Sequence, residues 1–193
     1  MKEQYPYRLI LESPLGKILI QGTQQHIQYL KFTDTAITEP ERSLSESTAL
    51  KFKPQADWAE NCCEQLQQYF VGKRSAFDLP LDPQGTDFQK RVWQALVAVK
   101  QGQVASYQQI ALAIGNEKSV RAVASANARN PIWLLIPCHR IIGSDNALRG
   151  YAGGIERKAK LLLIEGRELK GHQFDKMSLD AISIKTKVMP CND

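Results

Sequence analysis

Cysteine and histidine are scarce in this chain of 193 residues: cysteines stand at 62, 63, 138 and 191, histidines at 26, 139 and 172. No C-x-x-C pair occurs and the histidines are scattered, so the clustered spacing of a structural zinc site is missing and no metal is expected. Four cysteines without a framework spacing fit a reduced thiol protein better than a disulfide scaffold. Long apolar runs are also missing. None approaches the roughly 20 residues that cross a bilayer, so no membrane partner is expected. The N-terminus, M-K-E-Q-Y-P-Y, lacks an apolar signal-peptide core, and a cytoplasmic protein is the expectation. Internal repeats and low-complexity segments are lacking too.

What is there is a globular composition, 43% hydrophobic and 23% charged, long enough to bury a core. The charge is uneven. Residues 1–85 carry 9 Lys/Arg against 11 Asp/Glu, a net of −2, and residues 86–193 carry 16 against 9, a net of +7. The second half is therefore the candidate for a polyanion partner, against the alternative of a merely basic surface.

The first third reads as a small sheet. Y-R-L-I-L-E-S and K-I-L-I-Q-G flank the turn signal P-L-G, and I-Q-Y-L-K-F makes a third strand. Residues 33–56 are polar and read as a long loop. A helix over 57–70 places Trp58, Cys62, Leu66, Tyr69 and Phe70 on one face, which puts Cys62 in the core and Cys63 at its edge. The run 77–86, with two prolines and a glycine, reads as the domain boundary. Beyond it, Thr86 with Gln89 forms a capping box opening a helix whose apolar stripe is Phe88, Val92, Ala95, Leu96 and Val99. Ser106 with Gln109 repeats the device for a shorter helix ending at Gly115. Ser119 is placed to cap a third helix, which has to stop before Pro131.

The last two of these helices suggest a helix-turn-helix, a weak signal alone, since short helix pairs are common scaffolding. On the second of them, Val120, Val123, Ala124 and Asn127 share one side, and Arg121, Ala122, Ser125, Ala126 and Arg129 the other. Two arginines separated by very small residues offer little for reading base edges in a major groove. They allow close backbone approach, which suits a minor groove and binding without sequence preference. The alternative is plain packing of small residues against another helix.

The reactive segment is I-P-C-H-R-I-I, residues 136–142, preceded by the apolar run I-W-L-L-I, read as a buried strand-like element. At neutral pH an ordinary thiol is only a few per cent ionised. His139 can take the proton of Cys138 if the chain turns sharply or a water bridges the pair, provided an acceptor orients its other nitrogen. Glu165 is one candidate. It ends the helix I-E-R-K-A-K-L-L-L-I-E before Gly166, where the helix dipole disfavours a carboxylate unless something else holds it. A solvated glutamate is the alternative. Between them, R-G-Y-A-G-G allows a tight loop beside a ligand with Tyr151 as an aromatic wall. Three classes stay open on the residues alone: a protein attacking electrophiles carried by DNA, a non-catalytic DNA binder with a structural cysteine, and a thiol peptidase.

Six segments, S-P-L-G-K-I-L-I, the run from Tyr69 to Trp93, G-Q-V-A-S-Y-Q-Q-I-A, R-A-V-A-S-A-N-A-R-N-P, I-P-C-H-R and G-Y-A-G-G, resemble in order the methylated-DNA–protein-cysteine methyltransferases, the 6-O-alkylguanine-DNA alkyltransferases. The resemblance implies an α/β (α+β) chain. A small ribonuclease-H-like domain covers 1–80, a helical, winged-helix-like domain with the helix-turn-helix covers 86–170, and a tail covers 171–193, which is expected to be flexible. It implies one-shot repair of 6-O-methylguanine and 4-O-methylthymine in double-stranded DNA, without a cofactor and as a monomer, after the base is turned out of the duplex. Carried over by position, Cys138 is the alkyl acceptor, His139 the base acting through a water, Glu165 its orienting acid, and Asn130 the residue holding the turn. Tyr107 helps turn out the nucleotide and donates to the guanine. Tyr151, Ala152 and Lys158 belong to the pocket, and the carbonyls of Cys138 and Ile141 accept from the guanine amine. Arg121 is the intercalating arginine, with Ala122, Ser125, Ala126 and Arg129 completing the DNA face. Ala152 stands where some relatives carry a serine, which removes a hydroxyl contact.

Overall fold

The computed structural model describes residues 5–33, 56–145 and 147–167. The expected loop at 33–56, apart from its two ends, and the expected tail lie outside these residues.

Alternating apolar residues build an antiparallel sheet from β1 (Tyr7–Leu11), β2 (Lys17–Gly22) and β3 (Ile27–Thr33), in that spatial order. Ile20 lies opposite Leu9 on one side and Leu30 on the other. Period-two alternation turns Ile18 and Ile20 of β2, and Leu30 and Phe32 of β3, into the core. The turn between β1 and β2 is closed by Ser13, whose hydroxyl donates to the Gly16 carbonyl at 2.6 Å. Helix α1 (Ala59–Phe70) follows with the expected face buried, namely Cys62, Leu66, Tyr69 and Phe70. Trp58, just before it, donates its indole N–H to the Thr23 carbonyl at 2.9 Å and fixes the helix start to the sheet.

The boundary run is fastened rather than loose. Gln65 of α1 accepts from the Asp78 amide at 2.8 Å and donates to the Asp78 carbonyl at 2.9 Å. Further on, Ile27 and Leu81 form a parallel bridge along the free edge of β3.

Four helices make up the second part: α2 (Asp87–Val97), α3 (Tyr107–Ala113), α4 (Val120–Ala128) and α5 (Ile155–Ile164). Both capping boxes are formed. Gln89 and Thr86 bond reciprocally at 3.3 and 2.9 Å, Gln109 and Ser106 at 3.1 and 2.7 Å. Ser119 does not cap α4. Its hydroxyl donates back to the Asn116 carbonyl, because a 3-10 turn over Glu117–Ser119 feeds straight into the helix. Helices α2, α3 and α4 pack together around Val92, Trp93, Leu96, Ile110 and Val123. The short parallel pair β4 (Ala105–Ser106) and β5 (Ile141–Ile142) ties the start of α3 to the residues following Cys138.

The run 132–136 is buried as expected but is not a strand. Ile132 makes one bridge to Leu30, and the chain then turns, with Leu134 at φ 67°, the one non-glycine residue at positive φ among those described. A straight strand would carry Cys138 away from the core, and the turn brings it back.

Leu66 is fully buried on α1, so Leu66→Ala should lower the unfolding free energy by about 2–5 kcal/mol. Chemical denaturation checks this, and a loss below about 1 kcal/mol would place Leu66 outside the packed core.

Candidate active site and nucleic-acid interface

Asn130 is fully buried, and its single side chain closes the loop ahead of the reactive cysteine. Its amide nitrogen donates to the Ile136 carbonyl at 2.7 Å, and its amide oxygen accepts from the Ile132 amide at 3.0 Å. Its backbone carbonyl takes the Trp133 indole N–H at 3.1 Å. The outer side of the loop is held by β3, since Leu30 donates to the Pro131 carbonyl at 2.9 Å and accepts from Trp133 at 2.7 Å. Pro137 then leads into a 3-10 turn over Cys138–Arg140.

The thiol of Cys138 is 3% exposed. Burial pushes its pKa up to about 11, against the opposing pull of the Asn130 hydrogen bond, the Lys158 charge, its own backbone and Lys31. At pH 7 such a thiol is ionised about once in ten thousand molecules. At rest the sulfur therefore carries its proton.

His139 follows Cys138 on the 3-10 turn. The imidazole is completely buried, and Nε2 lies 2.8 Å from Glu165 Oε1. The carboxylate can only accept, so Nε2 carries the hydrogen and Nδ1 holds the lone pair. Nδ1 is buried without a hydrogen-bond partner among the described residues. Burial lowers the imidazole pKa, partly countered by Glu165, so the ring is neutral at neutral pH.

Glu165 answers the helix-dipole objection. It is the C-terminal cap residue of α5, and its carboxylate faces inward on four donors. Oε1 accepts from the Tyr69 hydroxyl at 2.8 Å, from His139 and from Arg140 Nη2 at 2.9 Å, while Oε2 accepts from Arg140 Nε at 2.9 Å. Burial alone would raise its pKa, but the hydrogen bonds from His139 and Arg140, with the Arg140 charge, outweigh it and bring the carboxyl down to about 2. Arg140 spends its third donor on the Val99 carbonyl at 2.6 Å.

Of the expected pocket residues, Tyr107, Tyr151 and Lys158 couple electrostatically to Cys138, whereas Ala152 lines a cleft whose walls do not include Cys138. Tyr107 opens α3, half-buried, with its phenol pKa raised by burial and by Cys138. The Tyr151 ring packs 5.3 Å from that of Trp133, and its hydroxyl is buried without a hydrogen-bond partner among the described residues. Gly153 is required by close approach, because a Cβ there would lie 2.6 Å from Tyr151 and 2.9 Å from Trp133. Ala152 is exposed on a cleft of about 630 Å³ whose walls include Pro14, Leu15, Phe32 and Trp133. Lys158 is fully buried and donates to the carbonyls of Ile141 and Arg149; burial lowers its pKa to about 8. The carbonyl of Cys138 takes the Ile141 amide and that of Ile141 takes Lys158, leaving each one lone pair. Among the described residues no cluster of ligands could hold a metal ion.

On α4, Arg121, Ala122, Ser125 and Arg129 are exposed, as expected. Ala126 is not; it is 2% exposed and its carbonyl accepts the Trp93 indole N–H at 2.9 Å. Its place on the wheel lies at the edge of the buried sector, and the large Trp93 side chain extends that sector over it. Asn127 is buried, and its amide oxygen has no hydrogen-bond partner among the described residues.

Sequence reasoning missed Tyr69, Arg140 and Lys31. A buried arginine inside P-C-H-R-I-I had to be paired, and that signal was available. Lys31, from β3, lies over the rings of Tyr29 and Trp133 at 5.2 and 5.4 Å and couples electrostatically to Cys138, which no local pattern reveals.

Comparison with known proteins bears on this geometry. The profile of the 6-O-methylguanine DNA methyltransferase DNA binding domain matches residues 87–167, and that of its ribonuclease-like domain matches residues 7–83. The methylated-DNA–protein-cysteine methyltransferase of Methanosarcina barkeri is 42% identical over 170 residues, spanning 85% of this chain and 99% of that protein. The constitutive enzyme of that name from Bacillus subtilis is 42% identical over 160 residues, spanning 82% and 94%. The structure of Mycobacterium tuberculosis O6-methylguanine methyltransferase superposes with a TM-score of 0.69 at 35% identity, covering 90% of this chain and 98% of the other. A Mycobacterium tuberculosis OGT structure in complex with DNA superposes at 0.68 and 37% identity, covering 81% and 90%.

The Glu165 carboxyl sits near 2 when folded and near 4.3 when unfolded. Its contribution to stability is complete above about pH 4.3 and is lost as the pH falls through 2. Between pH 5 and pH 2.5 the unfolding free energy should lose about 2 kcal/mol from this group. Glu165→Gln, uncharged throughout, should show a correspondingly flatter profile. Equal slopes for the two proteins would contradict the assignment.

Proposed function

Because this chain belongs to the 6-O-methylguanine DNA methyltransferase family, which repairs DNA by moving an alkyl group from alkylated DNA to a protein cysteine, we propose that Cys138 is the acceptor and is used once. The observation that carries this is the buried Cys138 thiol on an Asn130-braced turn, beside a neutral imidazole held by Glu165.

The substrate is 6-O-methylguanine, and also 4-O-methylthymine, in double-stranded DNA. A thiol 3% exposed cannot meet a base stacked in a helix, so the base leaves the duplex first, at a cost of a few kcal/mol that is smaller when damage has weakened pairing. Arg121, exposed on the first turn of α4, fills the space left behind. Ala122, Ser125 and Arg129 let the backbone approach the minor groove with little reading of sequence. Ala126 supports this face from beneath.

In the pocket, the Cys138 sulfur forms its bond to the methyl carbon as the carbon–oxygen bond breaks, and that electron pair goes to the guanine. The thiol proton passes through a water to Nδ1 of His139, whose charge is then balanced by Glu165. Tyr107 donates to the departing guanine, and the carbonyls of Cys138 and Ile141 accept from its amine through their remaining lone pairs. Tyr151 forms the wall, and the Ala152 backbone N–H serves the alkylated oxygen. Lys158 stiffens the floor. The product is a thioether, a poor leaving group, so one chain repairs one lesion as a monomer and needs no cofactor.

Incubation with a duplex containing 6-O-methylguanine should add one methyl per chain, mapped to Cys138 by peptide mass, and none in Cys138→Ser. Tight binding without any mass gain would favour a non-catalytic binder. Arg121→Ala should slow repair of the duplex by more than tenfold while leaving reaction with the free base within about twofold. An equal slowing of both reactions would remove Arg121 from the intercalating role.

A further inference from the structure

The Glu165 carboxylate, at the end of α5, joins two further places: His139 and Arg140 on the reactive turn, and Tyr69 on α1, which is 96 residues away in sequence. The Tyr69 side chain is 1% exposed, and its ring packs 5.3 Å from each of Phe70 and Phe77. That packing holds the ring without help from the hydroxyl. A core phenylalanine would fill the same space, yet a tyrosine is present and its hydroxyl is spent on the oxygen that also holds the imidazole. We propose that Tyr69 is a positioning residue of the alkyl-transfer centre: through its hydroxyl the N-terminal domain competes with His139 for Oε1 of Glu165 and so sets how strongly that carboxylate pulls on the imidazole.

The chemistry follows from charge sharing. A carboxylate oxygen that accepts three hydrogen bonds gives less electron density to each than one that accepts two. With Tyr69 donating, Glu165 orients His139 without dragging the ring toward imidazolium, so Nδ1 stays free to accept the thiol proton. The Arg140 guanidinium on the same turn acts on both the imidazole and the carboxylate, and the Lys158 ammonium on α5 acts on the imidazole; both oppose a charged imidazole. The Tyr69 phenol is held neutral by burial first and by Glu165 next, so it acts as a donor over the whole working range. Removing its hydroxyl strengthens the Glu165–His139 bond and makes protonation of the ring easier. The acid limb of the reaction, where rate is lost as His139 becomes charged, then moves to higher pH.

This inference rests on Cys138 being the acceptor with His139 as its base, and the test separates the two. The full chain and Tyr69→Phe are reacted with a methylated duplex and, separately, with methyl iodide, and methylation of Cys138 is followed by peptide mass from pH 4.5 to 8.5. The expected result is an unchanged melting temperature to within a few degrees and an acid limb moved up by about half a pH unit or more in both reactions. Incorporating 3-fluorotyrosine at position 69, a stronger donor, should move it the other way, and this second variant decides the matter if Tyr69→Phe is poorly folded. Superimposable limbs, or a rate lowered by one factor at every pH, would overturn the role of Tyr69. Shifted limbs with methyl iodide but no transfer from the duplex in either protein would uphold Tyr69 and sink the repair reading instead.

Discussion

Everything around the reactive thiol depends on one buried carboxylate. Glu165 sits at the end of a helix, where the dipole opposes it, and away from water, where an unpaired charge would cost several kcal/mol. It is tolerated because Tyr69, His139 and Arg140 supply four hydrogen bonds, two of them from a guanidinium. The same bonds hold three elements in register: α1 of the first domain, the turn carrying Cys138, and α5. A charge so placed is more demanding than a hydrophobic contact, since losing any partner leaves a buried acceptor unmet.

The thiol reads as the counterpart of that arrangement. Many reactive cysteines are activated at rest by lowering their pKa; here burial pushes Cys138 up to about 11. A protonated, enclosed thiol fits the single use proposed for Cys138, whose thioether product would be a poor leaving group. In the proposed reaction, activation waits for the moment when the sulfur attacks and His139 takes the proton. Asn130 and the bridge from Leu30 to Ile132 keep the geometry fixed until then.

Much of this was legible in the sequence, where the physical rule was local. Both capping boxes, the three strands with their alternation, and the buried face of α1 follow from spacing alone, and the structure contains them. The failures have local reasons too. An apolar run such as I-W-L-L-I does not distinguish a strand from a buried turn, and the positive φ at Leu134 leaves no mark in composition. Ser119 has a capping residue's chemistry but an intervening 3-10 turn uses its hydroxyl elsewhere. Ala126 is buried by Trp93, a residue from another helix. The conflict between Glu165 and the helix dipole was visible and pointed to a partner. That Tyr69 was among those partners was not, because its apolar neighbours account for it fully until the chain is folded.

The central claim is that Glu165 holds His139 as a neutral base with its lone pair on Nδ1. The most direct test is nitrogen-15 NMR of the His139 imidazole in the full chain, titrated between pH 5 and 8. The account predicts a neutral ring at pH 7, protonated on Nε2, charging only below the ordinary histidine pKa. A ring protonated on Nδ1, or one already charged at pH 7, would contradict it.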